Sequence, residues 1–330
     1  MLAPMEGVVD WATRDLFSKL GGVDICVTEF IRITNQLLPA EVFYRYAPEL
    51  KQGSKTASGT PMLVQLLGGD AQALAENAAQ ACQLGAYGID LNFGCPAKTV
   101  NRHDGGAALL KCPDRIFKIV SAVRAAVPKH ISVSAKIRLG FDDPNACLEN
   151  SKAVHAAGAD WLTVHCRTKT DMYKPPAYWE WIPKIREVAP ISIVANGEIW
   201  SVKDYFQCKK ISGSNHLMIG RGALADPFIF LKIKALLSAN NPDSSLVKSQ
   251  EAPSETVTAK DSENLTYVEL KPLLQSFYLS SANYRTPAYA VARTKQWLRQ
   301  LSLRHQELLL PFEQLKVLDE RSGFQKQLFS

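Results

Sequence analysis

Tyr87-Gly88-Ile89-Asp90-Leu91-Asn92-Phe93-Gly94-Cys95-Pro96-Ala97-Lys98-Thr99-Val100, followed by Gly105-Gly106-Ala107, is the stretch around which the chain is organised. Residues 87–91 form a short apolar run that reads as a buried strand, and the chain then breaks sharply. Gly94 and Pro96 bracket Cys95, so the thiol is expected in an irregular loop rather than in a helix. The second glycine cluster allows another close backbone approach before a helix that starts near Pro113. A cysteine taken at random is a small buried hydrophobe. One set directly after a strand, between backbone-breaking residues, is a candidate for chemistry.

Outward from this stretch the same unit recurs. Short β-rich runs at residues 2–5, 25–28, 62–66, 88–91, 131–137, 161–165, 191–195 and 216–219 alternate with helical patterns. Helical spacing is clearest over residues 70–84, where Leu74, Ala78, Ala81 and Cys82 share a face. Leu84-Gly85-Ala86, Ala157-Gly158-Ala159 and Ser212-Gly213-Ser214 each end a helix just before a strand, with glycine as the left-handed cap. Eight strands separated by helices over about 240 residues predict a (β/α)8 barrel. The alternative is an open doubly wound sheet, but no Gly-x-Gly-x-x-Gly follows the first strand. The barrel is the better reading.

Composition sets the class. The chain has 330 residues, room for one large and one smaller domain, and its 46% hydrophobic and 21% charged content are those of a soluble globular protein. No apolar run reaches the roughly 18 residues that span a bilayer, and Leu2-Ala3-Pro4-Met5 reads as a strand rather than a signal peptide. Seven cysteines without a CxxC pair argue against a disulfide framework or a zinc site. A cytoplasmic protein without a bound metal is expected, and a monomer is the default.

Three segments follow: a barrel over 1–237, a polar insertion over 238–264, and a helical region over 265–330. The insertion has no aromatics and only Leu246, Val247 and Val257 as large aliphatics, too little apolar surface to order itself. In the last segment Val291, Thr294, Leu298 and Leu301 form an inward stripe, flanked by Arg293 and Arg304 on one side and by Lys295 and Arg299 on the other. Residues 265–330 hold nine Lys/Arg against five Asp/Glu, and the five basic residues between Arg285 and Arg304 meet no acid. A solvated face is the ordinary explanation of such a run.

Functional groups of a barrel project from the C-terminal strand ends. Read in order, those ends carry Pro4, Met5 and Glu6; Gln65; Asn92 and Cys95; Lys136 and Arg138; His165 and Arg167; Asn196, Gly197 and Glu198; Gly220 and Arg221. A lone lysine or histidine in a strand is usually structural, yet here polar groups fall at equivalent ends. Asn196-Gly197-Glu198 and Gly220-Arg221-Gly222 put exposed amides at the last two loops, where a phosphate can be cradled and Arg221 can add a charged contact. From the residues alone this is an anion-binding barrel enzyme with a candidate cysteine acid and a basic appendage.

Asn-x-Gly-Cys-Pro with a downstream Gly-Gly-Ala resembles the active-site loop of the tRNA-dihydrouridine synthases. Leu2-Ala3-Pro4-Met5-Glu6-Gly7, Gln65-Leu66-Leu67-Gly68, Lys136-Ile137-Arg138-Leu139-Gly140, His165-Cys166-Arg167-Thr168, Ala195-Asn196-Gly197-Glu198 and Ile219-Gly220-Arg221-Gly222 occur in that family's order. Glu6, Thr28-Glu29-Phe30 and Ala292-Arg293-Thr294-Lys295-Gln296-Trp297-Leu298 look most like the C subfamily, associated with uridine 16 of the tRNA D-loop. The resemblance implies Cys95 as proton donor. It implies FMN held by Pro4, Met5, Glu6, Gln65, Lys136, His165, Asn196, Gly197, Glu198, Gly220 and Arg221. Asn92, Arg138, Arg32 and Tyr173 would face the target uridine. Arg293, Lys295, Gln300 and Lys316 would hold the tRNA body. Arg102-His103-Asp104 makes the loop after Cys95 more charged than is usual in that family.

The chemistry suits these residue types. Reducing the C5–C6 bond of uracil needs hydride at C6 and a proton at C5, and a thiol with a reference pKa near 8.5 is mostly protonated at neutral pH. Reduced FMN, regenerated by NADPH, would carry the hydride, and the uridine must leave its stack. Two other readings stand beside this one: an FMN-dependent reductase of a free pyrimidine, and a non-catalytic RNA-binding protein on a degenerate barrel.

Overall fold

The computed structural model describes residues 1–239, 265–320 and 322–330. Eight strands are all parallel: β1 (Cys26–Val27), β2 (Ile31–Arg32), β3 (Met62–Leu67), β4 (Gly88–Asn92), β5 (Ser132–Arg138), β6 (Trp161–His165), β7 (Ser192–Asn196) and β8 (His216–Met218). They lie in the order β1-β3-β4-β5-β6-β7-β8, with β2 also paired to β3. Leu2 closes the ring by bridging Cys26 on one side and Ile219 on the other. The Ala3 N–H donates to the Ile219 carbonyl at 2.9 Å, and the Ile219 N–H donates to the Met1 carbonyl at 3.0 Å. The predicted (β/α)8 barrel is therefore what the chain forms, with a helical region after it.

Two local differences have physical causes. The expected strand at residues 2–5 contracts to the Leu2 bridge, because Pro4 has no N–H for a ladder and the Met5 carbonyl accepts from Val8 and Val9 instead. The second stave is interrupted at Thr28 and resumes as β2, a strand the sequence pattern does not show. At the interruption the Thr28 hydroxyl accepts the Gln65 N–H at 2.9 Å, so a side chain replaces a ladder carbonyl.

Strand alternation sorts the barrel wall into two faces. Val64, Leu66, Ile89, Leu91, Val133, Ala135, Ile137, Leu162, Val164, Ile193 and Ala195 are apolar and buried, on the face turned to the helices. Burying each larger aliphatic side chain there stabilises the barrel by about 2 kcal/mol. The helix Ala71–Gln83, capped by Asp70 and buried through Leu74, Ala78 and Ala81, fits the predicted 70–84 pattern. The alternate positions point inward. Ala3, Val27, Leu63, Val194 and Met218 pack together there, and the polar residues come nearer the C-terminal strand ends.

The chain divides into two compact units, one of Met1–Ser18 with Val23–Gly220, the other of Lys19–Gly22 with Arg221–Ser330. The second unit contains the helices Arg221–Ala225, Ile229–Ala239, Tyr267–Tyr284, Pro287–Ser302, Leu309–Lys316 and Phe324–Phe329. The compositional boundary at 237 thus falls inside the second unit. Packing rather than composition decides it: Trp297 Nε1 donates to the Leu224 carbonyl at 3.1 Å, and His305 Nε2 donates to the Ala225 carbonyl at 2.8 Å. The polar insertion read over 238–264 lies, from residue 240 on, outside the described residues. Among the described residues no helix is long and apolar enough to cross a membrane.

Candidate active site

Gln65, Asp90, Asn92, Ser134, Lys136, Arg138, Thr163, His165 and Asn196 all share the inward parity of their strands. A barrel interior is normally filled by branched aliphatics. Here its C-terminal half is filled by hydrogen-bonding groups, which marks it as the site.

Cys95 leaves β4 on a loop pinned from several sides. Asn92 Oδ1 accepts the N–H groups of Gly94 at 2.9 Å and of Cys95 at 3.0 Å, an Asx-type turn. The Cys95 carbonyl accepts from Ala107 N and from Asn101 Nδ2, both at 3.0 Å. Gly106 has φ of +60°, and a Cβ there would lie 2.8 Å from the Cys95 carbonyl oxygen and 3.1 Å from Cys95 Cβ. Only glycine backs the thiol so closely. Burial pushes the thiol above its ordinary range; the Ala97 N–H lowers it, Glu6 raises it, and Arg138 and Arg32 lower it. The net direction is up, so Cys95 is held as a thiol.

Glu6 is exposed, yet partial burial and the neighbouring Glu29 carboxylate push its carboxyl up to about 7. Glu29 Oε1 accepts the Gly7 N–H at 2.5 Å. Glu6 therefore changes charge near neutrality, within electrostatic reach of Cys95.

Lys136, half-buried, is the lysine of the barrel interior. Burial and the nearby Arg138 charge lower its ammonium to about 8, opposed by Asp90. Its Nζ donates to Asn196 Oδ1 at 3.1 Å, and Asn196 Nδ2 donates to the Met218 carbonyl at 2.8 Å. An ammonium has three protons to donate, and the acceptor here is a neutral amide. His165 lies 3.3 Å from Arg167 through Nε2, and because a guanidinium only donates, that nitrogen accepts. Arg167 is fully buried and ion-paired with Glu198, whose other oxygen takes Trp200 Nε1. Gly197 has φ of +118°, and a Cβ there would meet His165 Cδ2 at 3.0 Å. A side chain at 197 would displace the imidazole. Gly220 ends the first unit, with its Cβ position 3.5 Å from Met5 Sδ, and Arg221 opens the helix Arg221–Ala225 of the second.

The structure changes the reading of three expected substrate residues. Arg138, 2% exposed, donates to the carbonyls of Gly94 at 2.8 Å, Thr168 at 2.9 Å and Met172 at 2.8 Å, and lies 5.3 Å from the Tyr173 ring. It clamps the Cys95 loop to the loop after β6. Asn92, besides holding Gly94 and Cys95, donates to Gln65 Oε1 at 2.8 Å, so its amide is committed to the protein on both sides. Arg293 is 7% exposed, bonded to Gln296 and 5.7 Å from the Phe277 ring. It lies between Ala290 and Trp297 on a stripe wider than the sequence suggests, and joins it rather than flanking it. Val291, Thr294, Leu298 and Leu301 are buried as expected.

The other expected contacts stay open to a ligand. Arg32 is exposed on β2. Tyr173 is 48% exposed with its ring 6.3 Å from that of His165. Lys295 donates to the Lys316 carbonyl at 2.9 Å, Gln300 is half-buried, and Lys316 is exposed beside Glu313. Sequence reasoning passed over Asp90 and Ser134, whose signal was only their inward parity on β4 and β5.

A closed parallel barrel with an inward-facing ammonium, an imidazole and a pinned thiol at its C-terminal strand ends defines a (β/α)8-barrel enzyme. Two solved structures show the same fold: histamine dehydrogenase from Rhizobium sp. 4-9 has a TM-score of 0.52 at 14% identity, covering 71% of this chain and 45% of that one. A 2-naphthoyl-CoA reductase complex has a TM-score of 0.54 at 12% identity, covering 69% and 47%. This chain spans less than half the length of each. The pattern of the family described as dihydrouridine synthase (Dus) matches residues 1–320, and the chain belongs to that family of oxidoreductases. The tRNA-dihydrouridine(16) synthase of Pseudomonas putida is 46% identical over 319 residues, 97% of this chain and 93% of that protein. That of Pseudomonas syringae pv. tomato is 48% identical over 315 residues, covering 96% and 93%. That of Ralstonia nicotianae is 51% identical over 243 residues, 74% of each.

Proposed function

We propose that this protein reduces the C5–C6 double bond of a uridine in tRNA to 5,6-dihydrouridine, at position 16 of the D-loop, using FMN and NADPH in the cytoplasm. The observation that carries the reading is a cysteine kept protonated on a loop pinned at the mouth of a barrel whose interior holds a half-buried ammonium. The relatives named tRNA-dihydrouridine(16) synthase support tRNA as the substrate and position 16 as the target.

The residues fit a flavin. Lys136, half-buried with a neutral acceptor, suits a ligand that carries delocalised negative charge. Pro4, Met5, Glu6, Gln65, His165, Asn196, Gly197, Glu198, Gly220 and Arg221 complete the set that would hold it, with the last two at its phosphate. When bound, FMN reduced by NADPH supplies hydride to C6 of the base. Cys95 donates its S–H proton to C5, and the thiolate left behind regains a proton from solvent, since the residue is half-buried rather than sealed. Arg138 and Asn92 hold the thiol in place. Tyr173 offers a ring for a base out of its stack, and Arg32 a charge for the adjoining phosphate. Lys295, Gln300 and Lys316 would contact the tRNA body. Arg293 supports that surface from beneath.

The test is incubation with unmodified tRNA and NADPH, followed by mapping dihydrouridine nucleotide by nucleotide, with Cys95→Ala alongside. Dihydrouridine at position 16, absent with the variant while flavin is retained, is the expected result. A different D-loop position would keep the chemistry and overturn the site. Flavin-loaded protein that leaves tRNA unchanged would favour reduction of a free pyrimidine.

A further inference from the structure

Asp90 is 2% exposed and lies inside the barrel two residues before Asn92. Ser134 Oγ donates to Asp90 Oδ1 at 2.6 Å, and Gln65 Nε2 donates to Asp90 Oδ2 at 2.7 Å. Gln65 Oε1 accepts Asn92 Nδ2 at 2.8 Å, and Asn92 Oδ1 accepts the Gly94 and Cys95 N–H groups. Ser134, Asp90, Gln65 and Asn92 thus form one line of hydrogen bonds from the barrel interior to the backbone of Cys95. Gln65 and Ser134 are fully buried and Asn92 is half-buried, so the inner bonds of the line are shielded from solvent.

The line has a fixed polarity set from both ends. Backbone N–H groups can only donate, so Asn92 must turn its oxygen to the loop and its NH2 to Gln65. Gln65 must then accept from Asn92 and donate to Asp90, which has to accept. A carboxylate at the inner end demands the same order, because it too leaves no choice. Reversing either amide would set NH2 against NH2, or oxygen against oxygen, and leave hydrogen bonds unmade where little water can replace them.

We propose that Asp90 is a positioning residue for Cys95: its carboxylate fixes the orientation of the Gln65 and Asn92 amides and thereby the place of the thiol. Its role in dihydrouridine formation rests on the function proposed above; its role in placing the loop does not.

The polarity argument predicts a compensating exchange. In Asn92→Asp, Gln65 stands between two carboxylates and must turn its oxygen towards one of them. In the double variant Asp90→Asn/Asn92→Asp the whole line reverses with every hydrogen bond made, Ser134 still donating to the inner amide, at unchanged net charge. The experiment reads the alkylation rate of Cys95 by peptide mapping, with Cys82 on the helix Ala71–Gln83 as internal control, and dihydrouridine formation on tRNA. Asn92→Asp should speed alkylation of Cys95 and slow turnover by about tenfold, and the exchange should return both to within about threefold of the parent. A double variant no better than Asn92→Asp overturns the proposal. Asp90→Ala adds no charge and serves where Asn92→Asp fails to fold. Faster alkylation at Cys95 with Cys82 unchanged supports the relay, and equal acceleration of both, or of neither, refutes it. Rescue of Cys95 alkylation in a protein whose parent leaves tRNA unreduced would sustain the relay while the functional reading falls.

Discussion

Replacing Arg138 by methionine separates a clamp from a base reader. The guanidinium donates to three carbonyls, those of Gly94, Thr168 and Met172, from a side chain that is almost wholly buried. Hydrogen bonds from a charged donor contribute about 1.5–3 kcal/mol each, and the desolvation of a buried guanidinium offsets several kcal/mol of that sum. The Thr168 bond is the most enclosed, while the Gly94 and Met172 bonds are partly hydrated. Methionine refills the volume of the alkyl stem but leaves the carbonyls without their donor, for a net loss of about 3 kcal/mol. In a domain of this size that lowers the midpoint of thermal unfolding by about 6–12 °C. Circular dichroism measures it, and Cys95 alkylation should accelerate in parallel as the loop loosens. If Arg138→Met melts within about 1 °C of the parent and leaves Cys95 reactivity unchanged, while turnover on tRNA collapses, the clamp argument fails and the arginine reads the base.

Glu6→Gln tests the carboxylate pair at the barrel mouth. The folded protein holds Glu6 up to about 7 against an ordinary value of 4.5, so its ionisation opposes folding fully above pH 7 and not at all below 4.5. The variant should therefore be more stable than the parent at about pH 8 and equal to it at about pH 4, by urea unfolding at the two pH values. A gain that does not change with pH would remove the ionisation of Glu6, disfavoured by burial and by Glu29, as its cause. In the helical unit, Arg299→Glu changes an exposed side chain and should weaken tRNA binding with a shallower salt dependence at unchanged melting temperature. Arg293→Glu, placed beside Phe277 in the buried stripe, should instead lower the melting temperature. The reverse pattern would put Arg293 on the RNA surface.

The sequence by itself determined the repeating architecture and the row of polar residues at the strand ends. Alternation of apolar runs with helical spacing, glycines with positive φ at 85, 158 and 213, and polar groups at successive strand ends follow from periods and backbone preferences that each segment carries locally. Cys95 between Gly94 and Pro96 was legible for the same reason. What the side chains do to one another was decided only by tertiary structure. Asn92 and Arg138 look like free polar groups until Gln65, 27 residues away from Asn92, and Gly94, 44 residues away from Arg138, take up their hydrogen bonds. Asp90 reads as part of an apolar strand until barrel closure gives its carboxylate two donors. Arg293 reads as a surface charge until the Phe277 ring covers it. Hydrogen bonds and ring contacts between residues distant in sequence depend on register and closure, which no local period encodes; that is why the polar residues at the strand ends could be listed from the sequence while the partners each one takes could not.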